Sequence, residues 1–524
     1  MVVGAREPGG LRIPGERGAN AGDLVRGNHH ADARAAHEDA AIGPAVENEP
    51  GGQGGKVRVI RRVGGTGADV LVRDAHPAEQ RLDGLFEVEP GMVGADGDAH
   101  DGILLDFPGR IPHDGEARRA GAPPGAVRKS RRIVTTSAEP SVVISGRGED
   151  RVRGGHPWVY RTDIADARAA GGDTVVVHNP RGRIVGRALF SDRSQIALRM
   201  LTVGEAPAGL ELWRARLASA IAFRTSLDID ATACRLVHGE GDLLPSLVVD
   251  RYGDYLVVQA LSQGVDRLLP EIVGLLVEQL HPAGVLARND VRVRMLEGLE
   301  SSVALLHGDV PDVVHVREGR IDHEVDLRHG QKTGLFLDQR ENRAAARAYA
   351  RGRMLDCFSY HGAFALQLAD RCASVTALEV SEEAVAHITR NAARNQVTNL
   401  EARLANVFDA LRQLERDRER FDTIVLDPPA FAKSKDAVEK AWAGYKEINL
   451  RAMKLLSPGG VLVTCTCSYH IDEASFGQIV YEAAVDARVR MAVVEKRMQA
   501  RDHPVVLGVP ETYYLKCFIL RRLA

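Results

Sequence analysis

Cys467 and Asp427 are the two residues in this 524-residue chain whose types and surroundings point to covalent chemistry. Cys467 lies in Thr464-Cys465-Thr466-Cys467-Ser468, directly after the apolar run Val461-Leu462-Val463. Asp427 lies in Leu426-Asp427-Pro428-Pro429-Ala430-Phe431, after Phe421-Asp422-Thr423-Ile424-Val425. A thiolate is a soft nucleophile able to add to carbon 6 of a pyrimidine. That addition makes carbon 5 carbanion-like and ready to take a methyl group, and a carboxyl at ring nitrogen 3 stabilises the developing charge. The Asp-Pro-Pro step is extended, because each proline disfavours the helical region for the residue before it, and its prolines have no amide hydrogens. Carbonyls there are free to face a flat base. The plainer readings are a turn for Pro-Pro and a small buried hydrophobe for a cysteine. The hydrophobe reading is taken for Cys357, Cys372 and Cys517. Cys465 would share a strand face with Cys467 and is the rival nucleophile.

For Cys467 and Asp427 to meet, they must close neighbouring strands of one sheet. From about residue 326 the pattern alternates strand and helix. Strands are expected at Met354–Phe358, Ser374–Val380, Leu400–Leu404, Phe421–Leu426 and Val461–Ser468. Helices are expected at Phe364–Asp370, at Glu382–Asn395 with Ser381 as its cap, and at Tyr445–Leu456. This alternation specifies a doubly wound sheet with ligands at the carboxyl ends of its strands. Polar residues stand at those ends. Asp356 has Gly362 six residues on, where a ligand can approach bare backbone. Glu379 is placed to accept ribose hydroxyls, and Asn406 to bond adenine. No G-x-G-x-x-G or G-x-x-x-x-G-K-[ST] pattern accompanies them. A nucleoside cofactor without phosphates, S-adenosylmethionine, fits better than a nicotinamide.

The preceding chain divides by texture. Residues 1–137 are rich in Gly, Ala, Arg, Asp and His, with poor periodicity. They are expected to be disordered, or an upstream extension with Val134 as the true start. Residues 138–208 read as a small β-rich module, with Ser141–Ile144, Thr174–His178 and Ile184–Phe190 as strands. Between Ser141 and Glu205 there are ten arginines, no lysine and seven acidic residues. Arginines beside Trp158 and Tyr160 suit RNA phosphates and bases; the bland alternative is a solvated barrel face. Residues 209–325 read as an α+β linking domain with helices at Leu210–Leu227 and Leu268–Leu280. His238, Glu240 and Asp242 are better read as a satisfied loop than as a metal site, and no metal is expected. Residues 326–524 form the alternating domain.

Net charge is −3, so no global nucleic-acid signature exists and any such role rests on local patches. Six scattered cysteines form no disulfide framework, which points to a reducing cytoplasm. No run of about 18 apolar residues is present.

The residues from about 140 to 524 resemble the bacterial 23S ribosomal RNA cytosine-5 methyltransferases that carry an N-terminal PUA domain. The resemblance rests on His156-Pro157-Trp158-Val159, the string Lys332-Thr333-Gly334-Leu335-Phe336-Leu337-Asp338-Gln339-Arg340-Glu341-Asn342-Arg343, and Asp356-Cys357-Phe358-Ser359-Tyr360-His361-Gly362. Asp427-Pro428-Pro429-Ala430-Phe431, Gly444-Tyr445-Lys446-Glu447-Ile448-Asn449, Thr466-Cys467-Ser468 and Tyr513-Tyr514-Leu515-Lys516 complete it. It implies a Rossmann-like class I methyltransferase domain behind a PUA-like β-barrel, with S-adenosyl-L-methionine as cofactor. It implies Cys467 as nucleophile and Asp427 as the acid facing the base. The cofactor set expected around these motifs is Phe336, Asp338, Arg340, Asp356, Phe358, Ser359, Gly362, Glu379, Val380, Asn406, Asp427 and Pro428. The RNA set is Arg147, Arg151, Arg153, His156, Trp158, Lys433, Tyr445 and Lys446. The chain departs from the family at Ala430, where lysine is usual; Lys433 or Lys435 would replace that charge. The competing functions are a ribosomal RNA guanine N-methyltransferase, which needs no cysteine, and a non-catalytic assembly factor. The expected partner is 23S ribosomal RNA, with a homodimer as an open alternative to a monomer.

Overall fold

A computed structural model of the chain describes residues 139–330, 332–432 and 437–524. The expectations for residues 1–137, and for Lys433 and Lys435, fall outside them. Residues 141–203 form a six-stranded sheet. Its strands are Ser141–Ile144, Trp158–Tyr160, Ile164–Arg168, Thr174–His178, Ile184–Phe190 and Ile196–Val203. Alternate strand residues (Val142 and Ile144; Val175 and Val177) enter one core with Val159, Phe190 and Leu198. The Gly-rich stretch after Ile144 folds as a helix, Gly146–Arg153, because Ser145 Oγ accepts from Gly148 N at 3.1 Å and caps it.

A second, five-stranded sheet follows, built from Ala233–His238, Leu247–Tyr252, Tyr255–Ala260, Gly284–Arg288 and Val303–Gly308 in that spatial order. The helices Leu210–Ser226 and Leu269–Leu280 cover it with Trp213, Leu217, Ile272 and Leu276. The expected helix Leu268–Leu280 is observed at Leu269–Leu280, with Pro270 in its first turn, and a short helix, Gln263–Arg267, precedes it. An antiparallel hairpin, Val313–Glu318 with Ile321–Asp326, leads into the last domain.

The last sheet has seven strands: β1 Arg353–Cys357, β2 Ser374–Glu379, β3 Leu400–Leu404, β4 Phe421–Leu426, β5 Leu456–Thr466, β6 Met491–Met498 and β7 Lys516–Arg522. Their order is β3-β2-β1-β4-β5-β7-β6. β1 to β5 are parallel; β7 runs antiparallel between β5 and β6. Strand order reverses between β1 and β4, and the crevice over their carboxyl ends is the expected ligand site. One face packs Leu426, Tyr445, Ile448, Met453, Phe476 and Phe518; the other packs Met354, Phe364, Ile388 and Val463. Each such side chain contributes roughly 1.5–3 kcal/mol when fully buried. Sandwiched between these cores, the strand ends are held rigidly.

Candidate active site

β1 delivers Asp356, which is 1% exposed. Its Oδ2 accepts from Ser359 Oγ at 2.5 Å and Ala365 N at 3.1 Å. Its Oδ1 is buried with no hydrogen-bond partner. Burial, opposed by the Ser359 bond and assisted by the Asp427 charge, lifts this carboxyl to about 7. The turn beyond it carries positive φ at Phe358 (61°), Tyr360 (49°) and Gly362 (80°). A side chain on Gly362 would begin 3.1 Å from Ile388 Cγ2. The turn is therefore bent tightly and left bare at Gly362.

β2 delivers Glu379. Tyr360 N donates to its Oε2 at 2.8 Å, while Val380 N and Ser381 N donate to Oε1 at 2.7 and 3.0 Å. Three of a carboxylate's roughly four acceptor positions are thus taken by backbone, which leaves room for about one ribose hydroxyl rather than both. Val380 is 59% exposed. Asn406, after β3, caps the helix Val407–Arg416 through Oδ1, which accepts from Phe408 N at 3.0 Å.

β4 and β5 are parallel neighbours, with Leu426 opposite Thr464. Asp427 and Cys467 follow their ends, both half-buried. Gln339 Nε2 donates to Asp427 Oδ1 at 2.7 Å. Burial first, then the Asp338 carboxylate, raises Asp427 to about 7. Burial also pushes the Cys467 thiol up to about 12, against the Lys332 ammonium and with the Asp427 charge. The two loops are tied together. Ser468 Oγ receives Ala432 N at 3.2 Å and lies 2.9 Å from the Tyr445 hydroxyl.

Cys465, the rival, is fully buried opposite Cys517. It shares a strand face with the core, whereas the chain leaves the strand at Thr466 and frees Cys467 from that alternation.

Other expected residues are placed differently. Tyr445 is fully buried and cannot contact RNA; it braces the Asp427 and Cys467 loops instead. Trp158 is 7% exposed and its Nε1 donates to Glu240 at 2.9 Å, so it offers no open stacking face. His156 Nε2 bonds Glu511 at 3.2 Å. Arg340 is buried against Asp502 at 2.9 Å and is a structural ion pair, not a free cofactor ligand. Lys446 pairs with Asp486 at 3.0 Å. Arg147 and Arg153 remain open, with side chains 68% and 71% exposed. Arg151 stacks over Tyr160 at 4.5 Å. Phe336 meets Tyr360 edge-on, with ring centres 5.2 Å apart. Pro428 is buried and Ser359 is 8% exposed. Asp242 accepts from His238 N and pairs with Arg224, so that loop is internally satisfied. Among the described residues no cluster of three or more His, Cys, Asp or Glu side chains is placed to hold a metal ion.

Four residues around Asp427 and Cys467 were not singled out from sequence for a role: Lys332, Gln339, Tyr514 and Lys516. Lys332 Nζ lies 3.0 Å from Asp338 Oδ2, which also accepts from Tyr514 OH at 2.8 Å. Asp338 is held well below the usual carboxylate range, because the cost of burial, the largest single effect, is exceeded by the Lys332 and His503 charges and the bonds from Lys332 and Tyr514 taken together. Asp338 therefore anchors these groups rather than facing a cofactor with both oxygens. The only sequence signal was their membership in the motif strings around them.

The sheet order and its strand-end carboxylates define a Rossmann-like methyltransferase of class I. A family profile described as S-adenosylmethionine-dependent methyltransferase matches residues 234–516, and one described as a PUA-like domain matches residues 142–203. The chain is 38% identical over 377 residues to the ribosomal RNA large subunit methyltransferase I of Pseudoalteromonas atlantica, covering 70% of this chain and 95% of that one. It is 39% identical over 380 residues to the protein of that name from Tolumonas auensis, covering 70% and 96%. A candidate methyltransferase from Streptococcus mutans shares the fold at TM-score 0.63 and 19% identity, covering 73% of this chain and 99% of that chain. A candidate methyltransferase solved with S-adenosylhomocysteine shares it at 0.65 and 20%, with the same coverage. The chain belongs to the PUA-domain S-adenosylmethionine-dependent methyltransferases, in the family of the ribosomal RNA large subunit methyltransferase I proteins.

The strand ends fit that cofactor. The unpartnered Asp356 Oδ1 is a buried acceptor awaiting a donor, and bare Gly362 permits close approach. S-adenosylmethionine supplies an electrophilic methyl group when bound.

Proposed function

We propose that this protein methylates carbon 5 of a cytidine in 23S ribosomal RNA through a covalent Cys467 adduct. The observation that carries the reading is the contrast between two cysteines at one strand end: Cys465 buried on the strand opposite Cys517, and Cys467 half-buried just beyond its end, within the electrostatic reach of Asp427. The relatives' name supplies the ribosomal RNA substrate.

In this reading sulfur attacks carbon 6, and the Asp427 carboxyl donates to ring nitrogen 3 as charge develops there. A carboxyl near 7 is partly protonated at neutral pH, as such a donor must be. Gln339 holds Oδ1, which leaves Oδ2 for the base. Carbon 5 then takes the methyl group. Loss of the carbon 5 proton to solvent water restores the double bond and expels sulfur, and the nitrogen 3 proton returns to Asp427. Asp356, Glu379 and Asn406 hold the cofactor, with Phe336, Phe358, Ser359, Gly362, Val380 and Pro428 shaping its site. The domain at 326–524 does the chemistry, 209–325 links, and 138–208 holds RNA through Arg147, Arg151 and Arg153. A cytoplasmic location follows from that substrate; among the described residues no helix is long and apolar enough to cross a membrane.

The test is Cys467→Ala against Cys465→Ala, assayed by transfer of labelled methyl to 23S ribosomal RNA. Cys467→Ala should lose turnover and keep cofactor affinity. Full activity in that variant with Cys465→Ala inactive would move the nucleophile to Cys465; full activity in both, or methyl found on a guanine nitrogen, would move the chain to the N-methyltransferase reading. Ribosome association without any transfer by the wild type would make it an assembly factor.

A further inference from the structure

Lys516 opens β7 and has 1% of its surface exposed. A buried lysine is ordinarily paired with a carboxylate, since an unpaired buried charge is costly. Lys516 instead donates to two carbonyls, Ser468 O at 3.4 Å and Tyr514 O at 3.3 Å, and lies 5.3 Å from the centre of the Tyr513 ring. The acids nearest it are engaged elsewhere. Asp472 caps the helix Glu473–Ala487 through Ser475 N at 2.7 Å. Glu473 is held by Lys496 at 2.8 Å and Tyr513 OH at 2.9 Å.

The register sets Lys516 beside the end of β5. β7 is antiparallel to β5, with Lys516 opposite Thr466. Its backbone is paired with the residue before Cys467, and its Nζ reaches the carbonyl of the residue after. The amine therefore lies beside the Thr466-Cys467-Ser468 segment, within the electrostatic reach of the Cys467 sulfur. Lys332 and Tyr514 are each bonded to Asp338.

The geometry points to Lys516 as the residue that takes the proton of the Cys467 thiol when sulfur attacks and returns it when sulfur leaves. This assignment rests on the covalent reading above. Burial pushes the Lys516 ammonium down to about 8, against the raising effect of Asp472, Cys467 and Glu473. The amine is therefore partly neutral near physiological pH, the condition a general base needs. In the forward step the S–H bond breaks, its proton joins the Nζ lone pair, and the sulfur pair forms the bond to carbon 6. On elimination the carbon–sulfur bond breaks, its electron pair returns to sulfur, and the Lys516 ammonium reprotonates it.

Alkylation of Cys467 by iodoacetamide, read by mass spectrometry on the full chain without RNA, tests the assignment. Lys516→Met keeps length and apolar bulk but accepts no proton. The expected result is a pH midpoint for alkylation raised by at least one unit, about tenfold slower labelling at pH 8, and cofactor affinity within twofold of wild type. Lys516→Arg keeps the charge but does not release its proton at pH 8. It should hold the alkylation midpoint near wild type yet lose at least tenfold in methyl transfer. An unchanged profile in Lys516→Met, or full turnover in Lys516→Arg, overturns the assignment. Melting curves on both variants separate misfolding from a titration effect. Full turnover in Cys467→Ala would sink the covalent reading instead, and the alkylation profile can be read without it.

Discussion

The Tyr445 hydroxyl lies 2.9 Å from Ser468 Oγ, and this contact fastens the loop after Asp427 to the loop after Cys467. Ala432 N reaches the same Ser468 oxygen at 3.2 Å, and Phe431 N reaches Tyr445 at 3.4 Å. Two loops that follow neighbouring strands thus share one buried knot. Removing a buried hydroxyl that leaves partners unsatisfied costs about 1–3 kcal/mol. Tyr445→Phe should therefore lower stability by roughly that amount and reduce methyl transfer about tenfold or more, with cofactor affinity unchanged. Unchanged turnover in a single-turnover assay would show that the knot does not position the two residues.

Asp427 carries a second consequence, in stability. Its carboxyl lies at about 7 in the fold and near 3.8 in the unfolded chain, because burial disfavours the charge. A raised acid contributes stability that is fully present below about pH 4 and lost as pH rises through about 7. Asp427→Asn removes that loss. The variant should melt higher than wild type at pH 8, by up to ~4 kcal/mol of unfolding free energy, and the gap should close toward pH 5. The comparison cancels His238, His323, His361 and His387, whose lowered values oppose the trend in both proteins. A gap that is constant with pH would place the Asp427 titration elsewhere.

Gly362 combines φ of 80° with Ile388 Cγ2 at 3.1 Å from any added Cβ. Gly362→Val meets both the backbone strain and the crowding, at about 1–3 kcal/mol for the backbone alone. Calorimetric titration with S-adenosylhomocysteine should show at least tenfold weaker binding, with the RNA affinity of the β-rich module kept. Equal affinity would exclude this turn from the cofactor site.

How much of this was legible in the sequence depended on which physical signal each residue gives. β1, β2 and β4 and their closing acids were readable because buried parallel strands are short apolar runs bounded by polar residues. Lys516-Cys517-Phe518-Ile519-Leu520 is just such a run, but without its partners nothing marked it as β7, packed against β5. β6 alternates exposed and half-buried residues at the sheet edge, a weak pattern. Tyr445 and Trp158 were misread for one reason. An aromatic beside basic residues reads as a nucleic-acid platform, and only coordinates reveal that its polar tip already has a partner. Cys467 and Cys465 could not be separated by alternation, because the strand ends between them.

The arginines of the β-rich module yield the last prediction. Arg153 is 71% exposed and pairs with Glu149 one helical turn away, a contact worth little. Arg147 is about as open, yet its Nε bonds Asp163, which is 1% exposed and also accepts from Ser145 Oγ. The other oxygen of Asp163 is buried without a partner. Truncating Arg147 therefore strands a buried charge, whereas truncating Arg153 frees only a surface one. Arg153→Ala should keep the melting temperature and weaken RNA binding, with the salt slope falling by about 1. Arg147→Ala should weaken RNA binding similarly and also destabilise the module, by about 1–3 kcal/mol. Filter binding across a salt series, paired with melting curves, separates the two. If neither variant changes the slope, phosphate contact does not pass through this helix, and RNA must approach by another face.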